Sequence, residues 1–151
     1  PVEFYATSPA AGWRVLVLDA FQEAVIGWPC GEPRRETAVN FLRQKRCACG
    51  RPENADPSDW FAGLTGDDRR YVPYNGAFGG RQLAWLESQL QSAACSGERV
   101  LIMSHVVLHP SACHGTTMAW DGDAALAVFA PQAPSFQYNY VKQLKIKTIQ
   151  G

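Results

Sequence analysis

Three observations predict an α/β fold for this chain. Residues 14–19 (RVLVLD) and 99–104 (RVLIMS) are short apolar runs bounded by turn-forming or polar residues, the pattern of strands buried on both faces in a parallel or mixed sheet. Between them, residues 81–94 carry Leu83, Leu86 and Leu90 at i, i+3 and i+7 with Trp85 beside them, the spacing of an amphipathic helix. A chain of 151 residues has the length of one ordinary domain.

Residues 1–12 mix Pro, Gly and small side chains and read as a loop or edge segment. The run 14–19 ends at a charged residue, Asp19, and residues 25–28 form a second brief apolar patch. Residues 33–46 read as a helix: Ala38, Val39, Phe41 and Leu42 supply its apolar positions, and Arg43, Lys45 and Arg46 suit the negative end of the helix dipole. Residues 47–74 are dense in Gly, Pro, Asp and Asn and read as one long loop, a length associated with function or mobility. The stretch 75–80 (NGAFGG) is a turn in which Asn75 and Gly76 are expected to supply a positive-φ conformation. It leads into the helix 81–94, whose leucines are expected to face the core while Gln82, Glu87, Gln89 and Gln91 cover the other face. Gly97 stops that helix, and the strand 99–104 follows. Composition shifts near position 129. Residues 129–151 show little pattern beyond the alternation in LKIKTI, so the chain divides into a body, 1–128, and a divergent, poorly ordered tail, 129–151.

Composition excludes several classes. Fourteen Lys+Arg balance fourteen Asp+Glu, without the basic surplus of a nucleic-acid-binding module. No apolar run approaches the roughly 18 residues of a membrane helix, and no secretory h-region is expected in the opening residues. The five cysteines, Cys30, Cys47, Cys49, Cys95 and Cys113, are odd in number and contain no CxxC pair. They read as reduced thiols of a cytoplasmic protein. The chain begins at Pro1 rather than Met and is expected to be a piece of a longer product.

The chemistry gathers late. All three histidines, His105, His109 and His114, fall within ten residues. Imidazole suits zinc, manganese or iron, whereas three solvated loop histidines would need no metal. His105 stands out because it ends a predicted strand, and ligands of open α/β sheets bind outside the carboxyl ends of the strands.

The order of motifs narrows the reading. NGAFGGRQLAWLESQL, then RVLIMSH, then HP resembles the calcineurin-like metallophosphoesterases. The series SPAAGWRVLVLDAF, VIGWP, YNGAFGGRQLAWL, SHVVLHP and MAWDGDAALAV is similar to their manganese-dependent ADP-ribose/CDP-alcohol diphosphatase group, from about Phe4 to Val128. The resemblance implies part of an α/β/β/α sandwich. It also implies a hydrolase that uses two divalent ions, manganese in this group, on small nucleotide substrates, with no nucleic-acid or membrane partner. In such sites the ions hold a hydroxide and bind phosphate oxygens.

Five ligand-bearing blocks are implied: Asp-x-His, Gly-Asp, Gly-Asn-His, a lone His after a strand, and Gly-His-x-His. His105 matches the fourth and is the metal-ligand candidate. No histidine precedes position 105 or follows position 114, so the first, third and fifth blocks have no counterpart, and the general acid of the third goes with them. Gly66-Asp67 lies too late in the chain to serve as the second block. No catalytic residue is therefore assigned. His109, with Pro110, continues the His-x-x-x-His-Pro pattern and is expected to support the ligand or face substrate. His114 is expected to be a solvated loop residue, Trp85 and Trp120 to be packing residues, and residues 111–120 to line a nucleoside pocket. The functional expectation is a metal-dependent hydrolase of nucleoside diphosphate-linked substrates by kinship, inactive as this chain alone and without stably bound metal. A non-catalytic fragment or interaction domain is the alternative, and a small zinc module around Cys47 and Cys49 is a third reading.

Overall fold

The computed structural model describes residues 4–130. Strand β1 (Tyr5–Thr7) pairs antiparallel with β2 (Trp13–Leu18), and β2 pairs parallel with β5 (Arg99–Ser104), giving a three-stranded sheet of order β1-β2-β5. A two-stranded ladder joins β3 (Glu23–Ala24) to β4 (Gly76–Ala77). Three helices complete the fold: α1 (Pro33–Ala48), α2 (Gly79–Cys95) and α3 (Gly122–Phe129). The predicted strands and helices are all present, with ends displaced by one or two residues.

The parallel register pairs Trp13 with Arg99 and Leu18 with Ser104. Alternation then sorts the side chains. Leu16 and Leu18 of β2, with Val100 and Ile102 of β5, face α2 and α3, where Leu86, Leu90, Ala125 and Phe129 complete the main core. Val15 and Val17 lie on the opposite face beside Leu101 and Met103, with Tyr5 at the β1 end. There Tyr5 is 48%, Trp13 39% and Met103 40% exposed. The expectation of strands buried on both faces is therefore corrected: among the described residues, helices cover one face of this sheet. A continuous apolar run cannot distinguish one covered face from two, because it lacks the polar alternation that would mark the open side. The described residues thus form helices on one face of a three-stranded sheet, with a separate two-stranded ladder.

Helix α2 begins two residues earlier than predicted. Gly79, with φ +74°, makes the entry bend. Leu86 and Leu90 are buried as predicted, and Leu83 is partly buried against the same core. Gln82, assigned to the polar face, is fully buried instead. It stands four residues before Leu86 and eight before Leu90, on the same stripe, so helical geometry sends it inward and hydrogen bonds satisfy its amide.

A second core forms around α1. Ala38 and Leu42 pack with Leu64, Tyr71, Ala77 and Trp120. The segment 47–74 is thus a loop at its start and a packed strap at its end, where Tyr71 and Val72 are buried. Trp120 stacks on Phe41 at 5.7 Å and donates its indole N–H to the Val72 carbonyl at 3.1 Å. Trp85 packs on Phe4. Both tryptophans are the packing residues expected. Phe129, the first residue of the segment read as a divergent tail, closes α3 and is buried in the main core. Beyond Ala130, residues 131–151 of that segment lie outside the described residues.

The two faces of the sheet make a direct test. Leu86→Ala empties a fully buried site and should cost about 2–5 kcal/mol, whereas Met103→Ala, on the open face, should cost about 0.5 kcal/mol or less. Urea unfolding of both variants reads the difference, and equal losses would show that both faces are covered.

Candidate functional site

The parallel pairing of β2 and β5 ends both strands at one edge of the sheet. Asp19 follows Leu18 and His105 follows Ser104, so the two residues leave neighbouring strands side by side. Asp19 makes a tight turn in which its Oδ1 accepts the Phe21 N–H at 2.9 Å. The Phe21 ring then lies against the His105 imidazole, with centroids 5.7 Å apart and planes at 41°. His105 is exposed. The placement expected from the sequence, a histidine at the carboxyl end of a sheet strand, is what the fold delivers, and the structure adds that the imidazole is accessible.

The loop after His105 is held at several points. Val107 bridges to Met118, and the Ala119 N–H donates to the Val107 carbonyl at 3.0 Å. His109 Nδ1 accepts the Ser111 N–H at 3.1 Å and caps a short turn, Pro110–Ala112. His114 caps the next one, Gly115–Thr117, through Thr116. His109 is half-buried and His114 exposed. Each of these two rings thus commits Nδ1 to local backbone structure.

Asn75 is almost fully buried and serves this loop directly. Its Nδ2 donates to the carbonyls of Arg70 at 3.0 Å and Thr116 at 2.9 Å. The pair Gly66-Asp67 lies in a short 3-10 turn, Gly66–Arg70, and a Cβ on Gly115 would strike the Gly66 carbonyl oxygen. The reading of Asn75-Gly76 as a positive-φ turn is corrected here. Gly76 belongs to β4, and it is glycine because a Cβ would collide with the Ala20 carbonyl oxygen. Asn75 clamps two loops by hydrogen bonds. Close approach, not positive φ, is what this dipeptide supplies.

Two carboxyl groups missed by sequence reasoning lie at the start of α2. Asp121 accepts the N–H groups of Phe78 at 3.1 Å and Gly79 at 2.9 Å, tying the entry of α3 to the entry of α2. Burial pushes its carboxyl above the ordinary aspartate value, although the N–H donors and Arg70 pull the other way. Glu23 reaches the same place, with its carboxylate over Gly79. Glu23 is exposed as a residue, but partial burial of its carboxyl raises it too, and the neighbouring Asp121 adds to the effect. Arg70, itself buried, forms a two-point pair with the neighbouring Asp123 at 3.1 and 2.5 Å. Helix dipole and orphan amide groups favour the Asp121 carboxylate at this position, against the burial that opposes its ionisation. The Asp-Gly-Asp signal was visible in the sequence, but its partners are 40 or more residues away.

The fit to a two-metal centre follows from the donor set. Among the described residues, no group of three or more His, Cys, Asp or Glu side chains comes together to hold a metal ion. Cys47 is exposed and Cys49 half-buried, each unpaired, and no third ligand joins them. An imidazole such as that of His105 could supply only one bond, whereas catalytic zinc sites use three protein ligands and structural sites four. The described residues do not fit a two-metal centre by themselves, and no reaction step is derived through one.

The fold aligns with a dimetal phosphatase. The solved structure of a dimetal phosphatase from Danio rerio superposes with a TM-score of 0.70 at 30% identity, covering 85% of this chain and 39% of that one. No family model matches the chain. Curated relatives do. The manganese-dependent ADP-ribose/CDP-alcohol diphosphatases of Arabidopsis thaliana and Oryza sativa subsp. japonica are each 34% identical over 125 residues, 83% of this chain and 38% and 37% of theirs. The enzyme of the same name from Homo sapiens is 31% identical over 124 residues. Over most of its length the chain is thus a homologue of these diphosphatases, as the motif order indicated, and it spans somewhat more than a third of the length of the relatives it matches.

The acid pair at α2 gives a pH prediction. A carboxyl whose folded pKa is raised contributes its full stability below the ordinary carboxyl range and loses it as pH rises through the folded value. At neutral pH the folded state therefore bears the cost of ionising Glu23. Glu23→Gln removes that cost and should raise Tm at pH 7, with the gain shrinking to nothing by about pH 4. Melting curves across this range check it, and a difference independent of pH would show that Glu23 is not perturbed.

Proposed function

We propose that this chain is a segment of a metal-dependent hydrolase acting on nucleoside diphosphate-linked small molecules, ADP-ribose or CDP-alcohols, and that His105 is its metal-ligand position. The observation that carries the reading is the place of His105. It is an exposed imidazole at the carboxyl end of β5, beside the end of its parallel neighbour, in a fold shared with a dimetal phosphatase. The names of the relatives supply the substrate class and the manganese dependence. The α/β/β/α sandwich belongs to the same reading, with the open face of the β1-β2-β5 sheet as the place where its second sheet packs. His109 steadies the loop beside the ligand position through its turn-capping bond. Five unpaired cysteines support a cytoplasmic setting, and no helix among the described residues is long and apolar enough to cross a membrane.

The chain alone does not hydrolyse these substrates. Two divalent ions need a bridging anion and several ligands each, or their mutual repulsion is not offset. The second reading, a non-catalytic interaction piece, has the exposed Tyr5, Trp13 and Met103 in its favour. Purified chain in millimolar manganese should release no AMP from ADP-ribose above a His105→Ala control. Turnover of about 1 per second or more, abolished in His105→Ala, would overturn the inactivity and leave the substrate class standing. Turnover unaffected by His105→Ala would overturn the site.

A further inference from the structure

We propose that Gln82 is a positioning residue for the His105 imidazole, acting through the turn at Asp19–Phe21. Gln82 lies in the first turn of α2 and is fully buried. Its Oε1 accepts the Asp19 N–H at 2.8 Å, and its Nε2 donates to the Asp19 carbonyl at 2.8 Å and to the Phe78 carbonyl at 3.0 Å. The first two bonds form a cyclic pair with one residue's backbone. The side-chain amide stands in for a neighbouring strand and extends the ladder one residue past the end of β2.

That pair reads backbone, so it fixes where the chain turns. The turn begins at once: Asp19 Oδ1 takes the Phe21 N–H at 2.9 Å, and the Phe21 ring is delivered to His105. A continuous set of contacts thus runs from Gln82 through Asp19 and Phe21 to the imidazole. Packing alone gives no reason for an amide at position 82. The stripe that continues through Leu86 and Leu90 is apolar, and a leucine would fill the same volume without a polar group to satisfy. The donor and acceptor on one planar group are what Asp19 requires. Asparagine is a methylene too short, and leucine offers neither bond. The functional weight of this arrangement rests on His105 as the ligand position; the geometry itself does not.

The test uses the metal-free chain and NMR, so its failure is distinct from a failure of the diphosphatase assay. The Phe21 ring should displace the His105 ring-proton resonances from their values in an unstructured peptide and give cross-relaxation between the two rings. Phe21→Leu should abolish both signatures and so calibrate them. Gln82→Leu should lose both, while the Trp120 indole N–H and Leu90 methyl resonances stay in place and report an intact fold. Gln82→Asn should do the same, and it decides the matter if the leucine variant does not fold. Asp19→Ala leaves the backbone pair with Gln82 but removes the Oδ1 bond, and should also release Phe21. A folded Gln82 variant with wild-type His105 signatures would overturn the role of Gln82. Wild-type signatures in Asp19→Ala would overturn the route through the turn.

Discussion

The parallel ladder between β2 and β5 is the constraint on which the rest depends. It brings residues more than 80 positions apart into register and ends both strands at one edge, where Asp19 and His105 emerge together. Parallel pairing requires a crossover, and here the crossover contains everything from β3 through α2. The long intervening chain is accommodated because it forms its own small core around α1, Tyr71 and Trp120. Arg14 reinforces the opposite end of the ladder. Its guanidinium bonds Glu98 at 2.8 Å and Gln89 and Ser92 of α2 at 3.0–3.2 Å, so strand and helix are tied together at both ends.

Helix α2 is the second organising element, because polar groups at its start connect three parts of the fold. Gln82 ties it to the end of β2, and Asp121 ties it to α3. Gln82 is fully buried and Asp121 half-buried, and both are engaged in hydrogen bonds, so their loss would leave backbone groups without partners at the end of β2 and the start of α2. The helix N-terminus and its N–H groups offset only part of the cost of ionising Asp121, and both acids remain raised above their ordinary values. The arrangement that positions His105 is thus polar and directional, set on an apolar platform that is neither.

Much of this was legible in the sequence. The period of Leu86 and Leu90, the two apolar runs and the stop at Gly97 read correctly because each depends on local geometry alone. His105 could be placed at a strand end for the same reason. What escaped was non-local. Gln82 looked like a surface residue because its polarity was given more weight than its position on the core stripe. Gly76 looked like a turn residue because the carbonyl of Ala20 that it must clear is 56 positions away. Asp121 and Glu23 could not be paired, since nothing in either neighbourhood announces the other. The open face of the sheet was invisible because an apolar strand reads the same whether one face or both are covered. The three histidines, adjacent in sequence, turned out to do different jobs, one emerging at the sheet edge and two capping turns.

The central claim is that His105, and not His114 or the cysteines near the end of α1, marks the metal-ligand position. Paramagnetic broadening by Mn²⁺ tests it most directly, because it detects weak contact without requiring a complete site. In the isotopically labelled chain, substoichiometric Mn²⁺ should broaden the His105 ring signals first, with the neighbouring Asp19 and Phe21 resonances following. His114, Cys47 and Cys49 should remain sharp at the same metal level, and His105→Ala should remove the effect at the sheet edge. Broadening that begins at His114 or at Cys47 and Cys49, and persists in His105→Ala, would contradict the account.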